Sequence, residues 1–225
     1  MDLRHEIKIP INPFDKAILT SRLSACLKRD INAGSDGSYR VRSLYFDTPY
    51  DTALREKLAG VDRREKFRIR IYNMGADGRI LLEKKIKIKG LCGKINTEIT
   101  LHECNKLLME DYAWMASDKR AVVTELYTRI KNTMLRPKAI IDYKREAFVY
   151  NTSGVRVTID SDIRSGLFSN EFFRRDLALV PASDGLIVME VKYDTFLPDF
   201  IADILKTGSR RQTACSKYAI GRRFG

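Results

Sequence analysis

The sequence predicts an α+β protein: an antiparallel sheet of about eight strands closed into a barrel, with helices packed around it. Segments of apolar/polar alternation recur along the chain, and helix-start signals stand in the connections between them. The polar half of the alternation is basic on strand after strand. With 225 residues and no linker, fixed-period repeat or low-complexity stretch, the chain reads as one domain over 1–225.

Alternation at 2–9 sets Leu3, Ile7 and Ile9 against Arg4, Glu6 and Lys8. Asn12-Pro13, a capping residue followed by proline at the first helical position, predicts a helix over 13–30. A strand follows at 39–47, then a helix over 49–59 that starts with Thr48-Pro49 and stops at Gly60. The runs 63–73 and 79–89 flank a Gly-containing turn. In the first, Phe67, Ile69 and Ile71 share one face and Arg68, Arg70 and Tyr72 the other. In the second, Leu82, Lys84, Ile86 and Ile88 oppose Glu83, Lys85 and Lys87.

The capping box Thr100-Leu101-His102-Glu103 opens a helical region that runs to about Met134, with a break near Ser117-Asp118. Strands return at 138–150, 154–161 and 186–194. In the first of these the pattern is mixed, because Tyr143 and Arg145 share a face with Ile141 and Ala147. The second carries Arg156, Thr158 and Asp160 on its polar side, and the third Glu190 and Lys192. Two helices, 197–208 and 209–221, separated at Gly208, complete the chain.

Composition narrows the class. A formal net charge of +12 implies an anionic partner, and 31% charged with 44% hydrophobic residues fits a folded chain. No apolar run approaches the ~20 residues that span a bilayer, and the start lacks a signal-peptide core, so a cytoplasmic location is expected. The cysteines Cys26, Cys92, Cys104 and Cys215 are scattered without paired spacing; buried, inert thiols are expected rather than a zinc site or disulfides. Helix-turn-helix, RRM and zinc-finger signatures are missing, which argues against nucleic acid as the anion. The histidines His5 and His102 read as structural, Tyr45, Phe46 and Trp114 as packing residues, and Arg222-Arg223 as a solvated end.

Charge alone leaves two arrangements open. The basic faces can look outward to water, the commoner case for half-exposed sheets. Turned inward, they would line a basic channel suited to a chain of phosphates, because Arg forks grip phosphate oxygens and Lys supplies point charge. Carboxylates among them would then hold a hard divalent cation.

More specific is an ordered series of short motifs: "RHEIKIPI" at 4–11, "VRSLYFDT" at 41–48, "FRIRIY" at 67–72, "LEKKIKIKG" at 82–90, "IDYKREAFVY" at 141–150, "VRVTID" at 155–160, "VMEVKYD" at 188–194 and "CSKY" at 215–218. In that order they resemble the VTC domain family, the polyphosphate polymerase branch of the triphosphate tunnel metalloenzymes (CYTH-like). The resemblance implies an antiparallel eight-stranded tunnel in which a nucleoside triphosphate, ATP foremost, gives its γ-phosphate to a growing polyphosphate with help from Mn²⁺ or Mg²⁺. Carried over residue by residue, it makes Arg68, Arg70, Lys85 and Arg145 catalytic. It makes Lys8, Lys87, Lys94, Tyr143, Arg156, Lys192, Ser216 and Lys217 phosphate-binding, and Glu190 metal-holding, with Glu6 and Glu83 as further candidates.

Two other functions share this reading of the charge. One is a metal-dependent triphosphatase, acting on inorganic or thiamine triphosphate, or a cyclase, as in the wider superfamily. The other is a non-catalytic binder of polyphosphate or lipid headgroups. The chain has no membrane span of its own, and a membrane-protein partner is compatible with it.

Overall fold

A computed structural model of the protein describes residues 3–75, 78–166, 171–208 and 210–223. In chain order the elements are β1 (His5–Ile11), α1 (Pro13–Cys26), β2 (Lys28–Arg29), β3 (Ser38–Asp47), α2 (Thr52–Leu58), β4 (Arg64–Tyr72), β5 (Ile80–Ile88), β6 (Leu91–Ile99) and α3 (Leu101–Leu108). They continue with α4 (Ala121–Thr133), β7 (Arg136–Tyr150), β8 (Val155–Gly166), β9 (Val180–Pro181), β10 (Ile187–Tyr193), α5 (Asp199–Ile204) and α6 (Lys217–Gly221). The main sheet follows the order β1-β10-β8-β7-β3-β4-β5-β6, with every pairing antiparallel. Short β2 adds to β7 and β9 to β8.

The eight-strand path curls until its edges, β1 and β6, meet at one antiparallel bridge. There Arg4 and Cys92 exchange both N–H···O bonds at 2.9 Å. The expected closed barrel is thereby corrected to a curled sheet without a continuous ladder across its seam. Side chains occupy the seam instead: Lys85 Nζ lies 2.8 Å from Glu6 Oε1, and Cys92 Sγ lies 2.9 Å from Glu6 Oε2.

Local chemistry accounts for most boundaries. Asn12 and Asp15 cap α1 reciprocally (2.7 and 3.1 Å), with Pro13 in the first turn. Helix α1 stops at Cys26, short of the predicted residue 30, because Lys28-Arg29 pair with Val149 and Phe148 of β7. Thr100 and Glu103 cap α3 in the same reciprocal way. The region to Met134 divides into α3, a 3₁₀ turn at Ala113–Ser117, and α4.

Strand β6 was not foreseen. It is a hairpin partner of β5, and the turn residues Lys89 and Gly90 both adopt positive φ (48° and 79°), the geometry a tight two-residue hairpin requires. The predicted helix 209–221 reduces to α6. The preceding chain stays irregular because Thr213 N–H donates to the Lys8 carbonyl at 2.9 Å, tying it to β1. Ser209 and Asp2, included in predicted elements, lie outside the described residues.

The apolar faces look outward and are roofed by helices. Phe67, Ile69, Ile71 and Leu82 pack under α3 and α4 with Leu107, Val123 and Leu126. On the opposite flank Val157, Ile159, Met189 and Val191 pack with Leu19 and Leu23 of α1 and Ile201 of α5. The inward face is polar except where α6 enters. There Tyr39, Val41, Ile141 and Tyr143 gather around Tyr218 and Ile220, which explains the mixed alternation of β7. Gly221 lies so close to Ile141 that a Cβ on it would sit 2.0 Å from Ile141 Cδ1.

Fully buried Asp47 fixes this corner. Its carboxylate accepts the N–H groups of Thr48 (2.8 Å), Ala53 (2.9 Å) and Leu54 (3.1 Å) and the Tyr218 hydroxyl (2.6 Å). It therefore caps α2, which starts three residues later than Pro49 would suggest, and docks α6. Asp47→Ala strands those donors in the interior, so a denaturant titration is expected to show a loss of about 3 kcal/mol.

Candidate functional site

Two polar sides of the curled sheet, β3–β6 on one hand and β1, β10, β8 and β7 on the other, face each other across a cavity of about 370 Å³. Its lining carries seven lysines and four arginines against two glutamates. The basic faces therefore look inward, the second of the two arrangements that the charge pattern allows.

Three buried carboxylate hubs organise the cations. Glu83 on β5 is wholly buried and receives Arg68 Nε at 2.6 Å, Lys94 Nζ at 2.8 Å and Arg70 Nη1 at 3.7 Å. Burial alone would raise its pKa; Arg68, Arg70 and Lys94 hold it well below the usual carboxylate range. Asp160 on β8 binds Arg145 through both oxygens (2.6 and 2.7 Å) and Lys217 Nζ at 2.5 Å. At the seam, Glu6 on β1 and Glu190 on β10 share Lys8, 3.3 Å from each, while Lys85 joins Glu6 and Lys192 joins Glu190 at 2.9 Å. Burial and the proximity of Glu190 push the Glu6 pKa up, but Lys85, Lys8 and Lys192 outweigh them and bring it to about 2.

Secondary partners aim the guanidiniums. Arg68 Nη1 donates to the Tyr45 hydroxyl at 3.0 Å, and Arg70 donates to Ser43 Oγ and the Tyr143 hydroxyl, both at 3.2 Å. Burial would raise the Tyr45 pKa, yet Arg68 and Arg70 lower it to about 8. Tyr45, expected only to pack, is part of the wall.

The structure brings together Arg68, Arg70, Lys85 and Arg145 with Lys8, Lys87, Tyr143, Lys192, Ser216 and Lys217, and it places Glu6 and Glu190 among them. Three others stand apart. Glu83 lies behind Arg68 and Arg70; Lys94 is drawn to Glu83 at the sheet edge; Arg156 turns to Asp30 (2.5 Å) and the Tyr39 hydroxyl (3.0 Å). Ser216 caps α6 and so sets where Lys217 begins.

Lys57, Arg64 and Lys66, which the sequence reading passed over, also line the cavity. Lys66 and Arg64 continue the alternation of Arg70 and Arg68 on β4, so their signal was present; Lys57 on α2 gave none. Gln212 to Cys215, an irregular segment without periodicity, complete the wall. Elsewhere, Cys26 is exposed rather than buried, and Arg222 folds back onto Asp51 (2.8 Å) instead of ending in solvent.

A family profile of the VTC domain matches residues 3–224. The chain belongs to the VTC domain family. Among curated proteins no sequence matches it. Among solved structures, a candidate adenylate cyclase from Bacillus halodurans is similar with a TM-score of 0.58 and 16% identity, covering 100% of this chain and 98% of that one. The PH1819 protein from Pyrococcus horikoshii OT3 matches at a TM-score of 0.41 and 12% identity over 90% of this chain and 84% of its own. The first likeness is one of fold. No helix among the described residues is long and apolar enough to cross a membrane.

The cavity can concentrate polyanions, and its mouth should do so in a pH-dependent way. Burial, with repulsion from Arg64 and Lys57, lowers Lys66 to about 8 against the attraction of Tyr45 and Asp47. Its positive form, the one an anion needs, is lost as pH rises from 7 to 9. Calorimetric affinity for tripolyphosphate is expected to fall about tenfold over that range relative to Lys66→Arg, which keeps its charge.

Proposed function

We propose that this VTC-family chain is a metal-dependent polyphosphate polymerase that moves the γ-phosphate of a nucleoside triphosphate, ATP foremost, onto an inorganic polyphosphate chain. The observation that carries the reading is the inward-facing cavity with eleven cations and two carboxylates in its wall. Such a lumen matches a linear polyanion, whose charge is spread along its length.

Phosphoryl transfer asks little covalent help of a protein; positioning and stabilisation of charge supply most of the acceleration. Arg68, Arg70 and Lys85 would surround the transferred phosphoryl group. Arg145, Lys8, Lys192 and Lys217 would hold the phosphates on either side. A terminal oxyanion of the acceptor attacks the γ-phosphorus, a new P–O–P bond forms, and the bond to the β-phosphate oxygen breaks. The nucleoside diphosphate leaves with that electron pair. An acceptor oxyanion carries no proton to remove, so no general base is needed.

The donor set also fits a divalent cation. Hard Mg²⁺ or Mn²⁺ is commonly bound by one or two carboxylates together with substrate phosphates. Glu190 and Glu6 stand on paired strands, both face the lumen and both are kept ionised by lysines. A phosphate chain would draw Lys8, Lys85 and Lys192 to itself and leave these carboxylates to the metal. The ion would neutralise charge on the phosphate oxygens. Glu83, screened by its arginines, serves as their anchor.

Purified protein given ATP and Mn²⁺ is expected to form acid-insoluble phosphate polymer. Arg70→Ala or Lys85→Ala should reduce polymer at least a hundredfold while circular dichroism stays unchanged. Release of free phosphate with no polymer would assign the same site to a triphosphatase, and no turnover at all would leave a binding module.

A further inference from the structure

A hydroxyl in the lumen wall is held at its oxygen and left open at its hydrogen. Tyr45 on β3 is the cross-strand partner of Arg68 on β4, and its oxygen accepts Arg68 Nη1 at 3.0 Å. Its own O–H meets no acceptor among the described residues, although the side chain is almost fully buried and lines the cavity. A phenol can donate as well as accept, so half of its hydrogen-bonding capacity is unused.

Arg68 is in the same condition. Glu83 Oε2 accepts its Nε at 2.6 Å, Tyr45 takes Nη1, and Nη2 makes no hydrogen bond among the described residues. Two open donors, the Tyr45 O–H and Arg68 Nη2, therefore belong to residues that touch each other and line the same cavity. The ring that carries the hydroxyl is fixed. It stacks on Tyr218 with centroids 5.0 Å apart and planes at 28°, and Tyr218 is tied to Asp47 at 2.6 Å.

We infer that Tyr45 is a further phosphate-contacting residue, its O–H and Arg68 Nη2 together binding one phosphate group, with Arg68 holding the phenol in place. The inference rests on the phosphate-chain reading given above. It adds a neutral donor to a wall otherwise read through its charge.

The surroundings of Tyr45 make that donor dependent on pH. Arg68, Arg70 and Lys66 face it from β4 and Lys217 from α6, where Tyr218 also packs. Tyr143 of β7 belongs to the same cluster, α2 adds only apolar Leu54, and Asp47 lies two residues along its own strand. Burial raises the Tyr45 pKa, but Arg68 and Arg70 bring it to about 8. Above that the phenolate has no proton to give and holds Arg68 against an incoming anion, so its contribution is present at about pH 7 and lost by about pH 9.

The test is calorimetric titration with tripolyphosphate in the Lys66→Arg background, where the neighbouring lysine no longer titrates. At about pH 7, adding Tyr45→Phe, which keeps the ring and its stacking, should weaken binding about tenfold. By about pH 9 that deficit should have disappeared.

Equal affinities at the lower pH, or a deficit that stays constant as pH rises, would overturn the contact and leave Tyr45 as a packing residue. If Tyr45→Phe does not fold, ultraviolet titration of tyrosinate in the natural protein decides. Bound tripolyphosphate should move the earliest tyrosine step to higher pH, and an unmoved step would overturn the contact. Failure of the natural chain to bind tripolyphosphate would overturn the phosphate reading itself.

Discussion

Mutual repulsion of like charges inside a curled sheet is the constraint on which the rest of this structure depends. Lys8, Lys85 and Lys192 project toward one another at the seam, and Arg68, Arg70, Arg145 and Lys217 do so deeper in. Two unit charges 4 Å apart in a medium of effective dielectric constant near 20 repel by about 4 kcal/mol, so such a group could not be held empty without counter-charge. Glu6, Glu190, Glu83 and Asp160 supply it, and each contacts at least two cations. These pairs do not have to stabilise the fold greatly, since the desolvation of buried ions offsets much of their attraction. What they fix is direction: Lys8, Lys85, Lys192, Arg68, Arg70, Arg145 and Lys217 are held facing the lumen.

A polar interior forces the hydrophobic core to the outside. In a small barrel filled by side chains the apolar faces meet in the middle; here they face away and must be covered by helices. That is why α3 and α4 lie over one flank and α1 and α5 over the other, and why the core is divided. The division leaves a central strip on β3 and β7 that neither helical layer roofs. Arg42 and Asp142 fill it as a buried pair at 2.9 Å, with Arg42 also donating to the carbonyls of Phe172 and Arg174.

Much of this was legible in the sequence because alternation and capping are local. Arg68 and Arg70 against Phe67, Ile69 and Ile71 needed only the two-residue period, and Asn12 and Thr100 announced their helices. Alternation states that two faces differ; it does not state which is inside, and the ordered motifs made that choice. Strand β6 escaped because Gly93, Asn96 and Thr97 blur the pattern and its identity rests on the Lys89-Gly90 turn. Arg156 obeyed the period and Lys94 came from the motif resemblance, but both were claimed by carboxylates, Asp30 and Glu83, whose proximity is set by tertiary structure. The wall at Gln212 to Cys215 had no periodic signal, since its path is fixed by the bond from Thr213 to Lys8.

The distribution of counter-charge gives the lumen a polarity along its length. Toward the mouth, Lys57, Lys66 and Lys87 face the cavity without a carboxylate partner in hydrogen-bonding or ion-pair range among the described residues, while inside every named cation is paired. On the function proposed above, an approaching polyanion would meet bare positive charge first, where capture displaces only water and counterions. Moving inward, it would exchange with carboxylates for the same lysines and arginines, and each exchange would release an acidic group beside the chain. At the seam those groups are Glu6 and Glu190, on the strands that close the lumen. On the same proposed function, binding of the anion and exposure of carboxylates suited to a divalent cation would be one event, arranged by which cations are paired and which are not.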